Sequence, residues 1–265
     1  TAHVDSAQSV AFHNEERLLE TIATWSSIPM DFLTKSIGLQ NLHDQQVSAF
    51  PHLTLCSTAK HRGLRLACLT TAFADLWNRH APNLNPFRWS SDDPRLALEG
   101  PVEGPAHWDR TAALRTEFAR RMALVEIDVL VAQAFGLSLD QLIEIYRIYF
   151  PVLQENEAGT WYDQNGRIVW TCSKGLPGVG WLEPNRAGEM KSPGRAAWEK
   201  KLEELSAIPA DKQVLTCTVV DDTQPGGPRE AERRFVGPFT KCDRVEDYRR
   251  AWAFFEAHKD KDGAA

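Results

Sequence analysis

The chain has 265 residues, a formal charge of −6 from 30 basic and 36 acidic side chains, and 43% apolar residues including nine tryptophans. That composition suits one large or two modest globular domains and excludes disorder as the main state. The longest apolar stretches, such as VEIDVLVAQAFGL, are broken by acids short of the ~20 residues a membrane-spanning helix needs, and no basic segment followed by an apolar run opens the chain.

The five cysteines (Cys56, Cys68, Cys172, Cys217, Cys242) are odd in number and widely spaced, without a CxxC or CxH pair. Neither a disulfide framework nor a zinc site is expected, and reduced, buried thiols in a cytoplasm are. A start at Thr1-Ala2-His3 reads as a cut from something longer.

Asn14, two glutamates and then Leu18, Leu19, Ile22 and Trp25 predict a first helix with an acidic first turn. Pro29 suits the first turn of a second, whose Met30, Phe32, Leu33 and Ile37 cover one side before Gly38 ends it. From about Lys60 a longer helix is predicted, with Leu66, Leu69, Phe73, Leu76 and Trp77 forming its apolar stripe. Residues 81–108, with five prolines, Gly100 and Gly104, read as a long ordered loop.

A helix of more than five turns is predicted from Asp109 to Gly136, on the spacing of Leu114, Phe118, Met122, Val125, Val129 and Ala132. Ser138 and Gln141 have capping-box spacing for the next helix, which Pro151 ends, so the two form an αα-hairpin. Trp161-Tyr162-Asp163, Gln164-Asn165-Gly166 and Arg167-Ile168-Val169-Trp170 then read as a β-hairpin turning at Asn-Gly. A short charged helix opens at Pro193, residues 214–220 form a buried strand, and Asp243 caps a last helix bearing Tyr248, Trp252 and Phe255. The expected fold is α+β and predominantly helical: a helical part (1–80), the long loop (81–108), the αα-hairpin (109–151) and a C-terminal α+β part (152–265) with a small β-hairpin or sheet.

No P-loop, HExxH, GxSxG or paired-carboxylate motif is present, and no two prolines are adjacent, so the [DNS]PP[YF] loop with which amino-methyltransferases grip a flipped base is missing. The glycine cluster Lys174 to Gly180 follows an apolar run as a phosphate-binding loop would, but Trp181-Leu182-Glu183-Pro184-Asn185 leads to Gly188 and Pro193 rather than into a helix. A structural turn is the better reading. Glu126 and Asp128, acids inside an apolar helix with no second carboxylate pair, read as salt-bridge partners rather than catalysts. His43, His52 and His61 make no triad with a serine. Trp161, Trp170 and Trp181 either stack on a splayed base or anchor the hairpin to the helices.

Charge is uneven along the chain. Residues 60–121 hold ten basic against seven acidic side chains and residues 228–250 seven against five, whereas 1–59 and 122–190 are acidic. Arg62 and Arg65, then Arg110, Arg115, Arg120 and Arg121, and near the C-terminus Arg229, Arg233, Arg234, Lys241, Arg244, Arg249 and Arg250 could together track phosphates, although a charged helix face is usually only a solvated one. The net charge of −6 argues against strong autonomous nucleic-acid binding.

The stretch RRMALVEIDVLVAQAFGLSLDQLIEIYRIYFPVLQENEAGTWYDQNGRIVWTCSKGLPGVG resembles the C-terminal region of large bacterial adenine-specific DNA methyltransferases, the class that includes fused type IIG restriction-modification enzymes and the methylases of the BREX and DISARM phage-defence systems. SSIPMDFLTKSIGLQNLHDQQVSAFPHL and LRLACLTTAFADLW upstream, and PFTKCDRVEDYRRAWAFFEAH downstream, are similar to further helices and loops of that class. Together these blocks cover most of the chain.

The resemblance implies a target-recognition region that binds double-stranded DNA beside a catalytic half, in cis or in trans, holding S-adenosylmethionine and the NPPY-type loop. This chain lacks that half, so no cofactor and no catalysis are expected of it alone. The matched positions are Lys35 and Asn41, Arg120 and Arg121, and Lys174. Lys35 and Asn41 also suit a lysine offsetting a helix dipole and an asparagine tolerating a left-handed backbone. Arg120 and Arg121 lie ~100° apart on one helix, so one of them is an intramolecular partner of Glu117, Glu126 or another acid. The alternative function is a scaffold that docks the methylase to other subunits of a defence system.

Overall fold

The computed structural model describes residues 11–38, 49–172, 183–184, 186–191, 194–221 and 225–262. The fold is α+β and predominantly helical, with ten α-helices and three two-stranded antiparallel sheets among the described residues. Helix α1 (Glu15–Trp25) starts where the Asn14 side chain accepts from the Glu16 N–H, and α2 (Ile28–Ser36) where Ser27 accepts from Met30. Gly38, at φ +69°, follows the end of α2.

The helix expected from Lys60 is instead broken. Helix α3 (Ser57–Ala67) stops at Cys68, residues 71–73 form a 3₁₀ turn, and α4 (Ala74–His80) follows. The carbonyls at the break are taken by guanidinium groups in place of further helix N–H donors: Arg120 Nη1 donates to Leu66 O (3.2 Å) and Arg115 Nη2 to Leu69 O (3.1 Å). Trp77 on α4 is fully buried, while Leu69 and Phe73, assigned to the same stripe from their spacing, are exposed. The long loop is ordered and includes one short helix, α5 (Pro94–Ala97).

Helix α6 (Glu117–Ala134) begins after the Thr116 cap, eight residues later than the periodicity from Asp109 suggested. Leu114 keeps the apolar spacing but lies in the loop, its N–H donating to Arg65 O. Thirteen of the eighteen residues of α6 are buried, so it is the central post of the larger core. Helices α1, α2, α3, α5, α7 (Leu139–Tyr149) and α10 (Arg244–Asp262) pack against it. The capping box of α7 is present in both directions, Ser138 Oγ accepting from Gln141 N–H and Gln141 Oε1 from Ser138 N–H. Helix α8 (Pro151–Ala158) continues from α7 at Pro151.

Strands β1 (Trp161–Tyr162) and β2 (Ile168–Trp170) form the expected hairpin. Its turn is held by Asp163, whose carboxylate accepts from the Asn165 and Arg167 N–H groups and from the Arg167 guanidinium, with Gly166 at φ +74°. Strands β3 (Glu183–Pro184) and β4 (Met190–Lys191) pair downstream of the glycine cluster, where a phosphate-cradling loop would have opened a helix. The cluster itself, with Lys174, lies outside the described residues.

Helix α9 (Arg195–Ser206) and strands β5 (Val214–Asp221) and β6 (Arg229–Val236) complete the C-terminal part. Their apolar sides and the β1–β2 hairpin form a second core around Trp161, Trp170, Trp198, Leu202, Leu215 and Phe235. Trp170 stacks on Trp198, their ring centroids 6.2 Å apart, so Trp161 and Trp170 anchor the hairpin and are not available to bases; Trp181 lies outside the described residues. Helix α10, capped by Asp243 as expected, joins the larger core through Val245, Tyr248, Ala251, Trp252 and Phe255.

Candidate functional site

The arginines proposed for phosphate contact divide sharply by burial. Arg62 and Arg65, at the inner face of α3, are 0% exposed, which corrects their assignment to DNA. Arg62 Nε pairs with Glu126 Oε2 (2.7 Å), its Nη2 donates to Phe87 O (3.0 Å), and the guanidinium lies 3.9 Å over the Trp89 ring. Arg65 donates to the carbonyls of Glu99, Pro101, Val102, Thr111 and Ala112. Burial, with repulsion from Arg62, lowers the Arg65 pKa to about 10. These contacts are the reason the proline-rich loop is ordered: one guanidinium satisfies carbonyls that no regular ladder reaches.

Arg121 is buried as well. It reaches Glu157 (2.9 Å) and Asp247 (2.7 Å), so one of the Arg120–Arg121 pair does have acid partners within the chain, though they are neither Glu117 nor Glu126. Arg244 joins the same cluster, bonding Asp128 (2.7 Å) and Glu157 (2.9 Å), while the Tyr248 hydroxyl and the Ile28 N–H complete the donors around Asp128. Burial raises the pKa of Glu157, but Arg244 and Arg121 more than offset it and hold the carboxyl below 4.5. Glu126 and Asp128 are thus salt-bridge partners, as their sequence context suggested.

Lys35 bonds Asp31 at 2.9 Å and lies 3.9 Å over the Phe150 ring. Asn41 lies outside the described residues. Arg120 is half-buried, donating to Leu66 O and Leu114 O, and burial lowers its pKa. In the C-terminal cluster Arg233 pairs with Asp221, Arg249 with Glu246 and Arg250 with Asp247, while Arg229 and Arg234 are exposed on β6.

Arg110 and Arg115 are exposed too, and the fold brings them together. Both line an open pocket of about 560 Å³ whose walls include Leu98, Pro101, Gly104, Pro105 and Thr111. Arg115 Nε donates to Arg110 O (2.8 Å). The Asp109 carboxylate accepts from the Thr111 hydroxyl and N–H, which keep its pKa below the usual value and close the turn carrying Arg110. Buried Glu99 accepts from the Arg115 and Thr116 N–H groups and the Thr116 hydroxyl, so an acid already answers the N-terminus of α6.

Comparison with protein-family models, with curated proteins and with solved structures finds no match. Among the described residues no helix is long and apolar enough to cross a membrane, and no group of His, Cys, Asp and Glu is arranged to hold a metal ion. Arg110 and Arg115 line the pocket together with Leu98, Pro101 and Pro105, a mixture of cationic and apolar residues suited to an anionic group attached to a flat apolar one. Sequence reasoning found both arginines but not Leu98, Pro101 or Pro105, whose only signal was the density of proline and glycine in the loop.

Gly104 links the pocket to the core behind it. It sits at φ +71°, and a Cβ there would lie 2.8 Å from the ring of buried Trp77, whose Nε1 donates to Pro105 O. Gly104→Ala is expected to cost about 1–3 kcal/mol through backbone strain and overpacking, read as a lower urea midpoint.

Proposed function

We propose that this chain is the DNA-contacting, target-recognising part of an adenine-specific methyltransferase of a restriction-modification or phage-defence system, acting beside a catalytic half that holds S-adenosylmethionine. The observation that carries the DNA contact is the pairing of exposed Arg110 and Arg115 on one open pocket. The resemblance of residues 120–180 supports the enzyme class. In this reading the two guanidiniums hold backbone phosphates and position the duplex, while base edges are read elsewhere on the surface. Of the seven sequence-derived cations among the described residues, Arg110 and Arg115 stand exposed around the pocket. The chain at −6 then binds weakly and chiefly at low salt, gaining affinity from its catalytic partner.

Fluorescence anisotropy with duplex DNA over a range of salt tests the proposal. Arg110→Ala is expected to weaken binding to unrelated sequences alike and to make the plot of log affinity against log salt shallower by about 1, with an unchanged melting temperature because the side chain is exposed. Salt-independent binding, or an unchanged slope in the variant, argues against it.

The scaffold reading has separate support in Ile37, Ile148, Tyr149 and Val152, each at least half exposed on α7, α8 and the end of α2.

A further inference from the structure

Two large apolar side chains stand exposed on a turn whose Leu69 carbonyl is bonded by the pocket's Arg115. Leu69 is 41% exposed and Phe73 39%, on the turn between α3 and α4. Exposed apolar residues are common singly. This pair differs in its setting: the turn is held by hydrogen bonds, and one of its anchors is a pocket arginine. Leu69 N–H donates to Ala67 O (2.8 Å), Phe73 N–H to Thr70 O (3.0 Å), and Leu69 O accepts from Arg115 Nη2 (3.1 Å). Buried Trp77 fixes the following helix to the loop at Pro105.

We propose that Leu69 and Phe73 form an apolar wedge that partly unstacks one duplex step whose phosphate is held by Arg110 and Arg115. The proposal rests on the DNA-contacting reading above. Wedges of this kind use one or two apolar side chains projecting from a firm backbone, next to cations that fix the phosphate. Thr70 and Thr71, both exposed and between the apolar pair in sequence, carry hydroxyls of the kind that bond sugar and phosphate oxygens. Two side chains are also too small an apolar area to seat a protein helix, which needs several anchors along its face. Asp75, exposed two residues beyond Phe73, and Asp109 oppose a phosphate, so attraction depends on the two arginines.

A wedge binds better where stacking is already weakened, because less of its binding energy goes into opening the step. The test measures affinity of the full chain for a perfect duplex and for the same duplex with a single mismatch, at low and moderate salt. The wild-type chain is expected to prefer the mismatch by roughly tenfold. Leu69→Ser/Phe73→Ser is expected to abolish that preference while keeping the salt slope and the circular-dichroism melt of the wild type. Salt-dependent binding with no preference for the mismatch, or a preference that survives in the double variant, overturns the wedge and leaves the DNA reading standing. Absence of any salt-dependent duplex binding removes both. Binding of an acidic, leucine-rich peptide that is lost in the double variant, with equal affinity for the two duplexes, assigns the turn to a protein partner and also overturns the wedge.

Discussion

Glu126→Ala is expected to destabilise the fold by about 3–5 kcal/mol, measured as a shift in the urea unfolding midpoint at constant slope. Glu126 and Arg62 are both fully buried, on α6 and α3. The carboxylate accepts from Arg62 Nε (2.7 Å) and from the Ser90 N–H (2.7 Å), so it joins two helices and the proline-rich loop. Removing it strands a guanidinium in the core and leaves a backbone donor without its acceptor; a buried orphan donor alone costs about 1–3 kcal/mol. Alanine is the best helix former, so none of the loss comes from α6 propensity. Arg62→Met/Glu126→Leu separates the pair's net worth from the cost of breaking it. The double variant should recover much of the loss, because both charges and their desolvation are removed together. A loss below about 1 kcal/mol in Glu126→Ala would mean that water reaches Arg62 and takes over the carboxylate's role.

The local grammar of the chain was readable because caps and turns depend on neighbours in sequence. Asn14, Ser138 with Gln141, Asn165-Gly166 and Asp243 each bond groups within four residues, and each stands where expected. Arg62 and Arg65 were not readable in this way. On a helix carrying Lys60, His61, Arg62 and Arg65, a solvated basic face is the default reading, and only tertiary contacts with residues 87–112 and Glu126 bury it. The same contacts explain the broken helix: apolar residues at helical spacing predict a stripe, but guanidiniums at Leu66 O and Leu69 O end it.

Strand β6 was hidden by its charges. Its sequence, REAERRFV, has the period of a strand only when Arg233 is counted inward, and that position is tolerated because Asp221 of β5 lies 3.3 Å from it. The pocket was half legible for a related reason. Arg110 and Arg115 are plain in sequence, but their convergence follows from the Asp109–Thr111 turn and from Glu99 holding the start of α6, a contact across sixteen residues.

Stability should also fall as pH drops below 6.5, through His61. The imidazole is fully buried on α3. Its Nε2 lies 3.0 Å from Glu103 O, which can only accept, so the proton resides on Nε2 and Nδ1 has no partner. Burial, reinforced by the neighbouring Arg62, lowers its pKa from 6.5 to about 3, against a smaller opposing effect of the Glu103 carbonyl. The unfolded chain therefore takes up a proton near pH 6.5 that the folded chain refuses until about pH 3, so the contribution is complete above 6.5 and is lost progressively down to 3. At about 1.4 kcal/mol per pH unit, roughly 2 kcal/mol disappears by pH 5. His61→Gln keeps an amide donor for Glu103 O but cannot titrate. Between pH 6.5 and 5, above the range in which Glu157 is protonated, urea midpoints of the wild type should fall relative to those of the variant by that amount. Parallel pH profiles for the two proteins would show instead that His61 accepts its proton in the folded core, and that Arg62 and Arg65 are better screened from it than their burial implies.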